Sequence, residues 1–288
     1  MTVDVSWNIH SSMESLWIAL LGAIQGATEF LPVSSSGHLA AGQLMLARSE
    51  GGQILSDKPL LLEVLLHLAT LAAVVVVYRR EVIGAVRGAG RGLSALMHLK
   101  LREIADVDDD VNLAVAIIVG TIPTAAIGMA MRDPAGAVSR SPLALGISFT
   151  ACACILLACR WWPGGKKRLS WRVALIIGVV QGMAVLPGIS RSGATIVAAL
   201  AFGLKREEAA RFSFLLSIPA ILGAAVLELD VSAIAAGGHS WAFALGALTA
   251  FVVGLGALTL LIRLVRKGRL WLFAPYVAAV GVAMMVLF

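Results

Sequence analysis

Gln25-Gly-Ala-Thr-Glu-Phe-Leu-Pro-Val-Ser-Ser-Ser-Gly-His38 and Gln181-Gly-Met-Ala-Val-Leu-Pro-Gly-Ile-Ser-Arg-Ser-Gly193 are the stretches on which the reading of this chain turns. Each runs twelve residue steps from a Gln-Gly to a closing Ser-Gly. Each also interrupts an apolar sequence with a proline and a serine cluster. In lipid, polar and helix-breaking residues survive only where protein or a water-filled cavity surrounds them, so by default they mark a functional site.

The surrounding composition sets the solvent. Of 288 residues, 59% are hydrophobic and 14% charged, and the mean hydropathy is +0.90, which belongs to an integral membrane protein. The net charge of +6 is not a nucleic-acid signal, because the basic residues fall in loops between apolar spans. Cys152, Cys154 and Cys159 share one apolar run without His or Asp companions and read as packing residues rather than a metal site. Polar residues up to Ser15 precede the first apolar run and no basic segment leads it, so no cleavable signal peptide is expected.

Working outward, the chain reads as all-α and polytopic. Residues 1–13 are polar and expected to be disordered or interfacial. An apolar helix from Leu16 to Leu31 should end before Pro32, which disfavours helical geometry in the residue ahead of it. The returning arm, Leu39 to Ala47, spans roughly 14 Å at ~1.5 Å per residue, too short for a hydrocarbon core of about 30 Å. A re-entrant hairpin over 16–47 follows. The same logic gives a second hairpin over 172–203, with Thr195 to Gly203 as its short arm. Full spans are expected at 60–79, 111–131, 142–160, 210–228, 241–262 and 271–288: six transmembrane helices and two re-entrant hairpins in one membrane domain, 1–288.

Loop charge orients them. Eighteen of the 23 Lys and Arg residues fall in the segments after the first span, the third span, the second hairpin and the fifth span. Only Arg48, Lys58, Arg132 and Arg140 are left for the other side, with Arg191 inside the second motif. If the rich side is cytoplasmic, the hairpins enter from opposite faces and the first opens outward. The halves, 14–140 and 170–288, then form inverted-topology repeats with a site near their interface. Pro123 to Gly128 and Pro275 to Gly281 add a weak echo. Asp106, Asp108, Asp109 and Asp110 read as a solvated loop rather than a cation site.

The chemistry sits in the two motifs. Gln25 and Glu29 are four apart and share a helix face. A carboxylate in an apolar helix demands a cation, a proton or a metal. Ser34, Ser35 and Ser36 follow the break, and the amides opening the returning arm make an anion site beside His38, an acid, base or nucleophile candidate. The second hairpin offers Ser190, Arg191 and Ser192, with Thr195 one turn on. The planar guanidinium suits phosphate oxygens. A carboxylate, an imidazole, hydroxyls, a guanidinium and two helix N-termini together suit phosphate or diphosphate chemistry. The plainer reading is a structural ion pair, Glu29–Arg191, locking the hairpins. Glu63 and His67, four apart in a full span, are assigned packing or support. Trp161, Trp162, Trp171 and Trp271 fit an interfacial belt.

At these residues the chain resembles the BacA/UppP family of undecaprenyl-diphosphate phosphatases. The likeness rests on Glu29-Phe-Leu-Pro-Val-Ser-Ser-Ser-Gly-His38 and Pro187-Gly-Ile-Ser-Arg-Ser-Gly-Ala-Thr195. It extends through Leu62-Glu-Val-Leu-Leu-His-Leu-Ala-Thr-Leu71, Thr121-Ile-Pro123 and Arg211 to Gly223. The resemblance implies hydrolysis of undecaprenyl diphosphate to the monophosphate and inorganic phosphate. That step recycles the lipid carrier of peptidoglycan synthesis and is linked to bacitracin resistance. It also implies a divalent cation, Mg²⁺ or Ca²⁺, near Glu29. Three departures stand out: Gln25 where many members carry Glu, Ser36 for a common Thr, and Tyr276-Val277 for a frequent Tyr-Arg.

The resulting expectation is a cell-membrane phosphatase acting at the outer face. Glu29, Ser35, His38 and Arg191 would be catalytic, and Gln25, Ser34, Ser36, Ser190, Ser192 and Thr195 would bind substrate. Ser35 is the favoured nucleophile or positioning hydroxyl and His38 the favoured proton partner, with activated water as the other route. The competing class is a transporter or flippase for a polyprenyl phosphate or small anion, since broken helices in inverted repeats also build transporters. A homodimer stays open.

Overall fold

Apolar runs punctuated by proline and glycine dictate helices, and helices are what the chain forms. The computed structural model describes residues 5–48, 59–97, 108–228 and 240–288. In order these form α1 (Val5–Phe30), α2 (Ser35–Arg48), α3 (Pro59–Val77), α4 (Arg79–Met97), α5 (Asp109–Ala130), α6 (Arg132–Ser139), α7 (Pro142–Ala158), α8 (Trp171–Met183), α9 (Arg191–Ala201), α10 (Arg206–Glu228), α11 (Ser240–Arg266) and α12 (Ala274–Leu287). Apart from one isolated bridge between Lys167 and Leu204, the described residues hold no strand.

Five of these helices are long and apolar enough to cross a bilayer: Asp109–Ala130, Pro142–Trp161, Arg206–Leu227, Trp241–Arg266 and Leu270–Leu287. A sixth is present if Leu62–Val77 and Arg79–Ser94, bent by 87° at Tyr78, count as one broken span. Large apolar side chains cover the outside, with Val226 78% and Ile122 65% exposed, as lipid contact requires. Helices α8 and α9 have 13 and 11 residues, about 20 Å and 17 Å, so neither crosses alone.

Two segments differ from the sequence reading. Helix α1 begins at Val5 rather than Leu16, so polar residues extend the apolar helix instead of fraying from it. Residues 80–97, read as part of a loop, form α4, whose glycines at 84, 88, 90 and 92 depress helix propensity. Two of them earn their place by contact: a Cβ on Gly84 would meet the Asp110 carboxylate, and one on Gly88 the Asp110 backbone. Turned 87° from α3, α4 carries Arg80, Arg87 and Arg91 beside exposed Val86, Leu93 and Met97, the pattern of a helix lying along a membrane surface.

The acidic run caps rather than chelates. The Asp108 carboxylate accepts from the Asp110 and Val111 amides at 2.9 and 3.1 Å, closing the N-terminus of α5. It also takes Arg91 Nε at 2.8 Å, and that bond holds its carboxyl below the usual carboxylate range. Arg91 also reaches Asp110, and Arg168 pairs with Asp109. Asp106 lies outside the described residues.

The site is positioned by an exchange of partners between the halves. Helix α1 packs chiefly on α11, α8 on α5, and α7 on α12. Glycine makes the first two approaches possible. A Cβ on Gly22 would strike the Gly246 carbonyl oxygen, and one on Gly178 the Gly120 carbonyl oxygen. Gly22 and Gly26, and again Gly178 and Gly182, are four apart, the small-residue spacing of close membrane helix pairs. Each hairpin is thereby wedged against a full span of the opposite half.

Candidate active site

The two hairpin tips are built alike. Helix α1 stops at Phe30 ahead of Pro32, and Ser34 turns the chain at φ 70°, a left-handed conformation uncommon outside glycine. Its hydroxyl accepts from Gly37 N at 3.2 Å, capping α2, and from Gly188 N at 3.1 Å, reaching across to the other tip. That tip turns at Gly188, φ 93°. Ser190 then caps α9 by accepting from Gly193 N at 3.1 Å, while its own amide donates to Cys152 Sγ at 3.3 Å. Ser192 Oγ donates to the Phe30 carbonyl at 3.0 Å, a second bond between tips. These serines hold the first turns of α2 and α9 together, and each first turn keeps amides without intrahelical acceptors.

Glu29 is where the two tips meet. Its side chain is 4% exposed and forms an ion pair with Arg191, which is 27% exposed. Glu29 Oε2 accepts from Ser35 Oγ at 2.7 Å and from Gln25 Nε2 at 2.9 Å. His67 Nε2 lies 3.5 Å from the same oxygen. The pair stands in the wall of a cavity of about 770 Å³. Ser34, Ser35, Ser36 and Ser190 also line it, as do Glu63, His67, Arg132 and Gln181. Much of the remaining wall is apolar, with Val64, Met129, Val185, Ile189, Ile221 and Leu227 among the lining residues, interrupted by Thr28, Gln43, Thr121, Thr124 and Ser139. A polar end and a largely apolar remainder suit an amphiphile.

Other candidates face elsewhere. His38 does not line this cavity. Its Nδ1 donates to the Ser34 carbonyl at 2.8 Å, so Nε2 accepts from the Tyr276 hydroxyl at 2.8 Å. The ring also stacks on Tyr276 and meets the edge of Phe149. Both ring nitrogens thus have partners, and His38 stands outside the cavity that Glu29, Ser35 and Arg191 line. Thr195, fully buried, bonds back to the Arg191 carbonyl at 2.8 Å. Ser192 and Gln25 are also buried and outside the cavity.

Conversely, Glu63 and His67 reach the cavity, although the sequence reading gave them packing or support. Their spacing, four apart on α3 as Gln25 and Glu29 are on α1, was the available signal. Of the cysteines, Cys152 and Cys159 are buried and Cys154 is exposed.

The donor set does not fit a resident metal ion. Among the described residues no three His, Cys, Asp or Glu side chains cluster at metal-binding distance. Both Glu29 oxygens already receive hydrogen bonds, one from a guanidinium. Gln25 contributes an amide donor where a second carboxylate would repel Glu29.

Comparison with known proteins gives the chain's family. The sequence matches the family described as "Bacitracin resistance protein BacA" over residues 18–283. It is 45% identical over 273 residues to an undecaprenyl-diphosphatase of Desulforapulum autotrophicum, covering 93% of this chain and 96% of that one. Enzymes of the same name from Desulfatibacillum aliphaticivorans and Korarchaeum cryptofilum are 43% and 40% identical, each covering 95% of this chain and 99% of the relative.

Proposed function

The chain belongs to the bacitracin resistance protein BacA family, and from that premise we propose that it hydrolyses undecaprenyl diphosphate to undecaprenyl phosphate and inorganic phosphate. The observation that carries the reading is Ser35 Oγ hydrogen-bonded to a buried carboxylate that is itself paired with Arg191, all in the wall of one amphiphile-sized cavity. A nucleophile, a base and an oriented cation in series are the parts phosphoryl transfer needs.

Arg191 and the first-turn amides of α2 and α9 receive the diphosphate. Glu29 takes the Ser35 proton as Oγ bonds to the terminal phosphorus, and the bridging P–O bond breaks to release the prenyl phosphate. That proton leaves with the prenyl phosphate, returning Glu29 to the carboxylate. Water then hydrolyses the phosphoserine: Glu29 accepts a proton from the attacking water and returns it to Ser35 Oγ as the P–Oγ bond breaks and inorganic phosphate leaves. The divalent cation belongs to the substrate in this reading: it arrives on the diphosphate and is not held by a protein cage, in keeping with Mg²⁺ sites completed by phosphate oxygens. Chelation should therefore reduce turnover and leave the unfolding temperature unchanged.

The loop charges support an orientation with the α1–α2 hairpin toward the outer face of the cell membrane, where released carrier lipid would be recycled into peptidoglycan synthesis. Exchange of packing partners between the halves supports the inverted-repeat arrangement. Transport alone is not favoured: it needs the anion cradle, but not a hydroxyl bonded to a buried carboxylate, and the relatives are named as diphosphatases.

The test is phosphate release by purified protein from prenyl diphosphates of several lengths, with radiolabelled terminal phosphate to capture a Ser35 adduct. Activity with label on Ser35 is the expected result. Label never found on protein during turnover would replace the serine step by direct water attack, and no phosphate release at all would overturn the assignment.

A further inference from the structure

Glu29 has two basic neighbours, and the proposed reaction uses only one. His67 Nδ1 lies 2.9 Å from the Glu63 carbonyl oxygen, one turn back on α3. A carbonyl only accepts, so Nδ1 carries a proton and the ring orientation is fixed. Nε2 then faces Glu29 Oε2 at 3.5 Å, beside the Ser35 hydroxyl that shares this oxygen. A bare Nε2 would set two acceptors against each other beside a carboxylate that is 4% exposed. A protonated one is a second counterion.

The chemistry creates a need for that counterion. Arg191 stabilises Glu29 in the structure, yet it is also the group that must receive the diphosphate. In a site shielded from water, incoming negative charge weakens the hold of the guanidinium on Glu29 and penalises the ionised carboxylate. Glu29 must stay ionised at that moment to accept the Ser35 proton. The other charged groups lining the cavity are Glu63 on the same helix as His67, Arg132 on α6 and Arg191 on α9. From α1, the charged group facing the imidazole is Glu29.

We propose that His67 is a positioning residue for the phosphatase reaction: protonated, it takes over as partner of Glu29 when Arg191 engages the diphosphate, keeping the carboxylate charged and aimed at Ser35. The inference rests on the diphosphatase reading of the site. It makes the imidazole part of the transition-state arrangement without contact to substrate.

The test compares wild type, His67→Phe and His67→Gln by phosphate release across pH, with thermal unfolding in detergent as the control for folding. His67→Phe should lower kcat about 10- to 100-fold, the worth of one charge-assisted hydrogen bond, with KM nearly unchanged. His67→Gln, whose amide can donate to Glu29, should recover part of that loss. The wild-type and His67→Gln pH profiles of kcat should differ, because only the wild type carries an ionisable side chain facing Glu29 Oε2. Folded variants with wild-type kcat and an unchanged pH profile would overturn the proposal.

Should both variants fail to fold, ¹⁵N-histidine spectra of the wild type decide. With methylenediphosphonate bound, which cannot be hydrolysed, one of the five imidazoles should be doubly protonated, and five neutral imidazoles would overturn the proposal. A wild type that releases no phosphate would instead defeat the diphosphatase reading itself.

Discussion

The two hairpins share a scaffold and differ in two residues that matter. An offset of 156 aligns Gly22, Gln25, Gly26, Ser34, Ser36 and Gly37 with Gly178, Gln181, Gly182, Ser190, Ser192 and Gly193. The shared residues do structural work on both sides: the first glycine seats a helix on an opposing span, and the first serine caps the returning arm. The differences fall at Glu29 against Val185 and Ser35 against Arg191. One hairpin carries carboxylate and hydroxyl, and the other carries the cation. Even the matched glutamines have diverged: Gln25 donates to Glu29, while Gln181 donates to Thr124 Oγ1 at 3.3 Å and the Leu216 carbonyl at 3.1 Å. A shared frame thus presents different chemical groups at these two of its tip positions.

Exchanging those charges is the hardest blow to that division. Arg191→Ala or Glu29→Ala should abolish measurable phosphate release and destabilise the protein by about 3–5 kcal/mol, because each leaves an unpaired charge at a buried site. The double exchange Glu29→Arg with Arg191→Glu should recover much of the stability and none of the turnover, since Ser35 would then face a cation. Activity in the exchanged protein would show that only the pair matters, not which hairpin bears which charge. Phosphate release and thermal unfolding on the same preparations separate the two effects.

Ser35→Ala comes next. It removes the hydroxyl on Glu29 and leaves the Arg191 pair intact, so turnover should fall about 10²- to 10⁴-fold, the range for loss of a positioned proton-transfer partner. The unfolding temperature should barely move. A loss under tenfold would mean that water attacks directly and that Ser35 only orients it.

How far the sequence foretold this division depends on the kind of interaction. The hairpins, the spans and the residues at the tips were legible because a break in an apolar run is a local signal. The joining of Glu29, Ser35 and Arg191 was legible only through the opposed orientation of the motifs. What escaped was long-range or counter to propensity. His67 reaches Glu29 from α3, and no local rule distinguishes a cavity-facing histidine from a packed one. His38 meets the hydroxyl of Tyr276, 238 residues later, a partner no local pattern announces. Helix α4 was hidden by the glycines through which it packs on α5.

The scaffold claim itself can be tested where the hairpins should behave alike. Gly22→Ala and Gly178→Ala each push a methyl group into a backbone oxygen of the opposing helix, so each should destabilise by about 1–3 kcal/mol. Gly42→Ala on α2 is the control. Nothing lies within 4 Å of its added methyl, so helix propensity alone should stabilise by up to about 1 kcal/mol. Unequal losses at Gly22 and Gly178, by thermal unfolding in detergent, would mean that the two wedges are not equivalent.

The last comparison sharpens the division most, because it probes a capping serine used asymmetrically. Ser34 and Ser190 cap equivalent helices, and loss of either cap costs about 1 kcal/mol. Ser190→Ala should show little more than that, since its hydroxyl caps α9 and otherwise touches only Ser192 Oγ, at 3.2 Å. Ser34 also accepts from Gly188 N in the opposite tip, in a buried setting where an amide without a partner costs about another 1–3 kcal/mol. Ser34→Ala should therefore be the more destabilising of the two. It should also lower kcat where Ser190→Ala does not, because the Gly188 bond fixes the spacing between the hairpin bearing Ser35 and the hairpin bearing Arg191. Equal effects of the two substitutions on unfolding and on kcat would show that the tips are held together elsewhere, by the Ser192 bond to the Phe30 carbonyl and the Glu29–Arg191 pair.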